Sequence, residues 1–91
     1  MRILDMKLST VYRVFRALKE KQQLLVSEVI TVAGSTAFYE RYMPYLEEKG
    51  YIVTEKKRVA NRYIRIIKLT NKGEKLLKLL EEINRLDGDV Y

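Results

Sequence analysis

The chain has no cysteine, no histidine and no tryptophan, and only one proline and four glycines among 91 residues. Without cysteine there is no disulfide framework and no thiolate chemistry. Without histidine as well, Ser-His and Cys-His nucleophile pairs and nearly every zinc arrangement are excluded. Carboxylate and lysine chemistry remain, but the 12 Asp and Glu are scattered with no evident inward-facing pair. No nucleophile, base and orienting group can be assembled from them, so a non-enzymatic protein with no metal and no cofactor is expected. Long apolar runs are missing too, and with them any bilayer span of about 18 residues. The opening residues MRILDMKLST lack the apolar region and small-residue cleavage site of a secretory signal, so the expected setting is the cytoplasm, with no membrane partner.

A hydrophobic share of 47% with 33% charged residues is too apolar for disorder and too ionic for lipid, and the length suits one domain over residues 1–91. Charge of one sign is concentrated in one place. The formal net charge is +6, from 18 basic and 12 acidic residues. Residues 55–68 hold six basic side chains (Lys56, Lys57, Arg58, Arg62, Arg65, Lys68) against Glu55 alone, whereas residues 74–91 balance to −2. Such asymmetry points to a polyanion, the plain alternative being a solvated basic hairpin that binds nothing.

Hydrophobic spacing orders the rest. Val11, Val14, Phe15 and Leu18 recur at three and four, predicting an amphipathic helix over 10–23, capped by Ser9 or Thr10. A short apolar run at 24–26 precedes a helix of two turns at most, with Ser27 as N-cap and Gly34 as its stop. Ser35 then caps a helix over 35–49 that Gly50 ends. With Leu46 set inward, steps of about 100° bring Tyr39, Tyr42 and Met43 to the core and turn Phe38, Arg41 and Tyr45 outward. Pro44 should bend this helix or end it early.

After Gly50 the period changes. YIVTEKK and RYIRIIKL are rich in β-formers, with RVAN between them as a turn, so a two-stranded hairpin with a basic tip is expected. Thr70 or Asn71 opens a last helix whose Leu76, Leu79, Ile83, Leu86 and Val90 follow a three-four spacing, with Leu77 and Leu80 widening the stripe.

The predicted fold class is therefore α+β, a winged helix-turn-helix. It has a three-helix core and a two-stranded β wing over 9–69, followed by a C-terminal amphipathic dimerisation helix over 70–87. The run STAFYERYMPYLEEKGYI at 35–52 resembles the recognition helix of winged-helix regulators of the MarR and related archaeal types. LTNKGEKLL at 69–77 is similar to the Leu-Thr-x-x-Gly-x-x-Leu-Leu signature that follows the wing in those families. Small winged-helix proteins of hyperthermophilic archaea and their viruses show a similar STAFY start. High Lys and Glu content suits such a thermophilic source. Pro44 and the abundance of tyrosine depart from the family pattern.

The resemblance implies a homodimeric transcriptional regulator that binds double-stranded DNA in a sequence-specific way. Helix 35–49 would then enter the major groove and residues 56–62 would lie on the backbone or in the minor groove. Ser35 and Thr36 can bind phosphate, or Ser35 can act simply as an N-cap. Arg41 can take a guanine edge or a phosphate, or stay solvated. Phe38 can meet a thymine methyl and Tyr45 can reach a phosphate, or these rings can pack against the hairpin or a dimer partner, and Tyr42 can extend its hydroxyl from the core. In the wing the candidates are Lys56, Lys57, Arg58, Asn61 and Arg62, while Arg65 and Lys68 can instead pair with carboxylates. The seam of Leu76, Leu79, Ile83 and Leu86 can pack on a second copy, joined by the first eight residues, or on its own domain. Two rivals stand beside this reading: a winged-helix protein–protein module without DNA contact, and a single-strand or RNA binder that stacks bases on exposed rings.

Overall fold

The computed structural model describes residues 1–88. A 3-10 turn at Ile3–Asp5 leads into helix α1 (Leu8–Lys21), a short strand β1 (Leu24–Leu25), helix α2 (Val26–Ala33), helix α3 (Thr36–Glu48), strands β2 (Ile52–Val59) and β3 (Arg62–Leu69), and helix α4 (Asn71–Leu86). The described residues thus form an α+β fold of four α-helices and one three-stranded antiparallel sheet, an order compatible with a winged-helix-like layout.

The expected stripe of α1 is fully inside: Val11, Val14, Phe15 and Leu18 are all buried. Its start differs from the sequence reading. The helix begins at Leu8, and the Lys7 carbonyl accepts from the Thr10 and Val11 N–H groups at 3.0 and 3.1 Å. Ser9 and Thr10 are therefore helical residues and cap nothing. Met6, just before this start, is buried in the core, and the helix begins two to three residues earlier than the polar capping signals suggest.

A similar shift occurs in α2, where the Glu28 carboxylate accepts the Leu25 N–H at 2.9 Å and so closes the helix start in place of Ser27. Gly34, at φ +76°, ends the helix as expected, its N–H donating to the Ile30 carbonyl at 2.8 Å. A long-range contact then fixes this corner. Arg13 of α1 donates from Nε to the Val32 carbonyl (2.8 Å) and from Nη2 to the Ala33 carbonyl (3.1 Å). A cation thus meets the negative end of the α2 dipole, and the turn into α3 is tied to α1.

Ser35 caps α3 through Oγ, which accepts the Phe38 N–H at 3.2 Å. The far end closes with the Gly50 N–H on the Glu47 carbonyl (3.0 Å) and the Tyr51 N–H on the Leu46 carbonyl (2.9 Å), with Gly50 at φ +83°. That pairing is the Schellman ending. Pro44 does not stop the helix, which continues to Glu48. Pro44 and Glu40, whose carbonyl loses its partner, are both exposed, so water can take the place of the missing N–H.

In the sheet the order is β1-β3-β2, with Leu24 opposite Ile67 and Leu25 opposite Ile66. The hairpin pairs without slippage from Ile52 and Leu69 at its base to Val59 and Arg62 at its tip. Its two-residue turn is Ala60-Asn61, and Ala60 takes a left-handed φ of +56°. Thr70 joins the hairpin to α4: its Oγ accepts the Gly73 N–H at 3.1 Å and donates to the Gly50 carbonyl. From α4, Leu77 and Leu80 enter the same core as α1, Leu24, Val29, Met43, Leu46, Ile52 and Ile67. Lys19 of α1 pairs with Glu74 of α4 at 2.6 Å, an exposed contact worth less than about 1 kcal/mol.

Candidate nucleic-acid interface

Every residue from 55 to 63 is exposed, so both strands of the hairpin run on past the core as an arm of roughly 15 Å at ~3.3 Å per residue. The register decides what each face of this arm carries. Ile52, Thr54, Lys56 and Arg58 lie opposite Leu69, Ile67, Arg65 and Tyr63. Because side chains alternate, these eight share one face: at its base Ile52 and Ile67 are buried in the core, and towards the tip it carries Lys56, Arg58, Arg65 and Tyr63. The reverse face carries Lys57, Val59, Arg62 and Ile64, and at its base Lys68 pairs with Glu55 at 3.3 Å.

Lys56 and Arg65 stand directly across from each other, a like-charge pair that weakens a hairpin in water. Among the described residues no carboxylate pairs with Lys56, Lys57, Arg58, Arg62 or Arg65. Five uncompensated cations on a two-stranded arm form a locally strong positive field, reduced only by salt. Of the two cations placed within the strands by sequence, Lys68 does pair with a carboxylate, whereas Arg65 belongs with the cationic group.

Helix α3 lies beside this arm. Tyr39, Pro44 and Glu47 from α3 and Thr54 and Arg65 from the sheet line an open cleft between them. Arg41 is exposed, as expected, and so is Thr36. Ser35 serves as the N-cap. Phe38 is not on the outer surface. It is 5% exposed, joins the core and meets the Tyr42 ring edge-on, with centroids 5.2 Å apart. Tyr42 and Tyr45 are half-buried and pack against the core, Tyr45 with the Lys49 ammonium 5.8 Å from its ring centroid. The outward assignment of Phe38 and Tyr45 fails because the buried arc of α3 is wider than one stripe. It runs from Phe38 through Leu46 to Met43, about 140° of the helix.

What α3 does show to solvent is Thr36, Ala37, Glu40, Arg41, Pro44, Glu47 and Glu48. Sequence reasoning did not single out this set apart from Thr36 and Arg41. Setting the wheel on Phe38 and Leu46 together would have found it. Asn61 and Arg62 at the hairpin turn are exposed as expected.

The four seam residues of α4 divide. Leu76 is half-buried against the chain's own core, so it belongs to the domain more than to any second copy. Leu79, Ile83 and Leu86 are 57%, 59% and 90% exposed. Val90 lies outside the described residues.

Among the described residues no group of His, Cys, Asp and Glu is placed to hold a metal ion, and no helix is long and apolar enough to cross a membrane. No family model matches the chain, and no curated protein matches it.

Proposed function

We propose that this chain is a winged helix-turn-helix protein that binds double-stranded DNA as a homodimeric regulator of transcription, in the manner of the MarR-like and small archaeal or archaeal-virus proteins it resembles. One observation carries the reading. A projecting hairpin holds Lys56, Lys57, Arg58, Arg62 and Arg65 without carboxylate partners among the described residues, beside a helix of 13 residues whose outer face is open. Folding alone gives no reason to collect five like charges on one arm, two of them directly cross-strand; a polyanion does.

In this arrangement α3 lies in the major groove, and Ala37, having only a methyl group, allows close approach while Arg41 reaches a guanine edge or a phosphate. The wing follows the backbone or minor groove. DNA recognition asks for binding chemistry and no reaction is proposed. The setting that fits is the cytoplasm.

A second reading draws support from the same helix. On the outer face of α3, Arg41 stands among Glu40, Glu47 and Glu48, a charge balance that suits a basic protein surface better than phosphates. Anisotropy of labelled duplex DNA, titrated with protein from low to physiological salt, separates the two. DNA binding by the wing predicts log K falling against log salt with a slope of about −3 to −5 per chain bound. No duplex binding at low salt would overturn the proposal in favour of a protein partner.

A further inference from the structure

Tyr63 is the one tyrosine among the described residues that the fold does not use. Tyr12 is buried, and Tyr39, Tyr42, Tyr45 and Tyr51 are half-buried and pack against the core. Tyr63 is 67% exposed, lies on the arm beyond the core, and has no ring or cation contact among the described residues. The register places it directly opposite Arg58, on the same face as Lys56 and Arg65. A large ring held out in water on a two-stranded ribbon contributes little to stability there. Set among three unpaired cations, it offers what a nucleic-acid surface needs: positive charge for phosphates and a flat apolar face for what lies between them.

We propose that Tyr63 is a DNA contact of the wing, its ring packing on the deoxyribose and base surface of the minor groove between phosphates neutralised by Lys56, Arg58 and Arg65. The inference rests on the duplex-binding reading above and adds a non-ionic contact to it. The face assigns the partner: the side of the arm that carries Tyr63 also carries Arg65, which lines the cleft with α3. A duplex seated against α3 therefore meets this side of the hairpin. Apolar side chains enter the minor groove in other DNA-binding proteins, and contact between an aromatic ring and a base face is tolerant of sequence.

The contact has a signature that a cation lacks. Removing a phosphate-binding cation flattens the salt dependence, whereas removing a ring lowers affinity equally at every salt concentration. The test is the duplex anisotropy titration repeated at four salt concentrations with wild type, Y63A, Y63F and, as the ionic reference, K56A. Tyr63→Ala should weaken binding about tenfold at each salt with an unchanged slope, and Tyr63→Phe should keep affinity within about twofold. Lys56→Ala should flatten the slope by about 1.

Two results overturn the contact while leaving duplex binding intact. One is Y63A binding as wild type throughout. The other is Y63A changing the slope as K56A does, which would make the ring an organiser of the cations. Wild type failing to bind duplex at low salt overturns the underlying reading, and the contact with it. Tyr63 is exposed, so both variants should keep the wild-type thermal melt, recorded alongside.

Discussion

A methyl group at Gly73 would stand 2.1 Å from the Tyr51 carbonyl oxygen and 2.8 Å from Leu69 Cδ2. The leucine end can swing aside, but the carbonyl cannot yield cheaply, because it is backbone and also accepts the Thr70 N–H at 3.1 Å, at the junction between hairpin and α4. The glycine is needed here for close backbone approach and not for an unusual dihedral angle. Gly73→Ala should therefore destabilise the fold by about 1 to 3 kcal/mol, the usual range for overpacking, despite the better helix propensity of alanine. Urea unfolding measures it: the midpoint should fall with the m-value unchanged. A midpoint at or above wild type would mean that α4 slides away from Tyr51 without loss. This also gives physical content to the Leu-Thr-x-x-Gly spacing at 69–73. Thr70 caps the helix and holds Gly50, and Gly73 lets the first turn of the helix rest on the strand entry.

Among the elements, the hairpin and α3 would make different kinds of contact, and substitutions should separate them. Arg58→Ala should weaken every duplex alike and flatten the salt slope by about 1, while Arg41→Ala should cost about 1 to 3 kcal/mol on a preferred sequence and much less on random DNA. Competition binding with selected and scrambled duplexes reads both, and equal losses from Arg41→Ala on all sequences would leave it no part in base reading. The hairpin was legible in the sequence because its period of two, its β-branched residues and its charge all coincide on the same segment. Element order was legible for the same reason: Ser35, Gly34, Gly50 and Thr70 do locally what their chemistry favours. Helix boundaries were less so. Glu28 closes the start of α2 through a capping contact three residues long that a search for Ser or Thr caps passes over, while the Arg13 contacts at the end of α2 act across 19 or more residues, where no local rule reaches. The outer face of α3 was misjudged at Phe38 because a short helix in a small domain buries a wide arc, and a wheel centred on one leucine underestimates it. Tyr63 carried no local signal at all, since only the cross-strand register shows which cations share its face.

At the scale of the whole molecule, an apolar feature that the fold does not use lies at the end of α4, within the described residues. Leu79, Ile83 and Leu86 are spaced four and three apart and are more than half exposed, while Leu77 and Leu80 on the neighbouring stripe hold the helix to its own core. Beside them runs an open apolar groove lined by Leu8 and Tyr12 of α1 and Leu80, Ile83 and Leu86 of α4, and Leu4 is exposed as well. A stable dimer buries about 800 Å² per partner, more than three side chains supply, so the seam and the groove would have to be covered together. An isologous pairing of two α4 helices does this if the Leu86 end of each enters the groove of the other. It would also present two α3 helices and two wings to one duplex, so that half-sites become linked and binding gains from effective concentration. Ile83→Glu with Leu86→Glu alters only side chains already open to water, so the fold should survive. Sedimentation equilibrium should then show the wild type as a dimer and the double variant as a monomer of unchanged thermal melt. Binding to a single half-site should persist with the wing's salt dependence, and the added affinity for two half-sites should disappear. A wild type that sediments as a monomer at tens of micromolar would end the dimer argument, and one wing with one α3 would then be the whole of the DNA-binding surface.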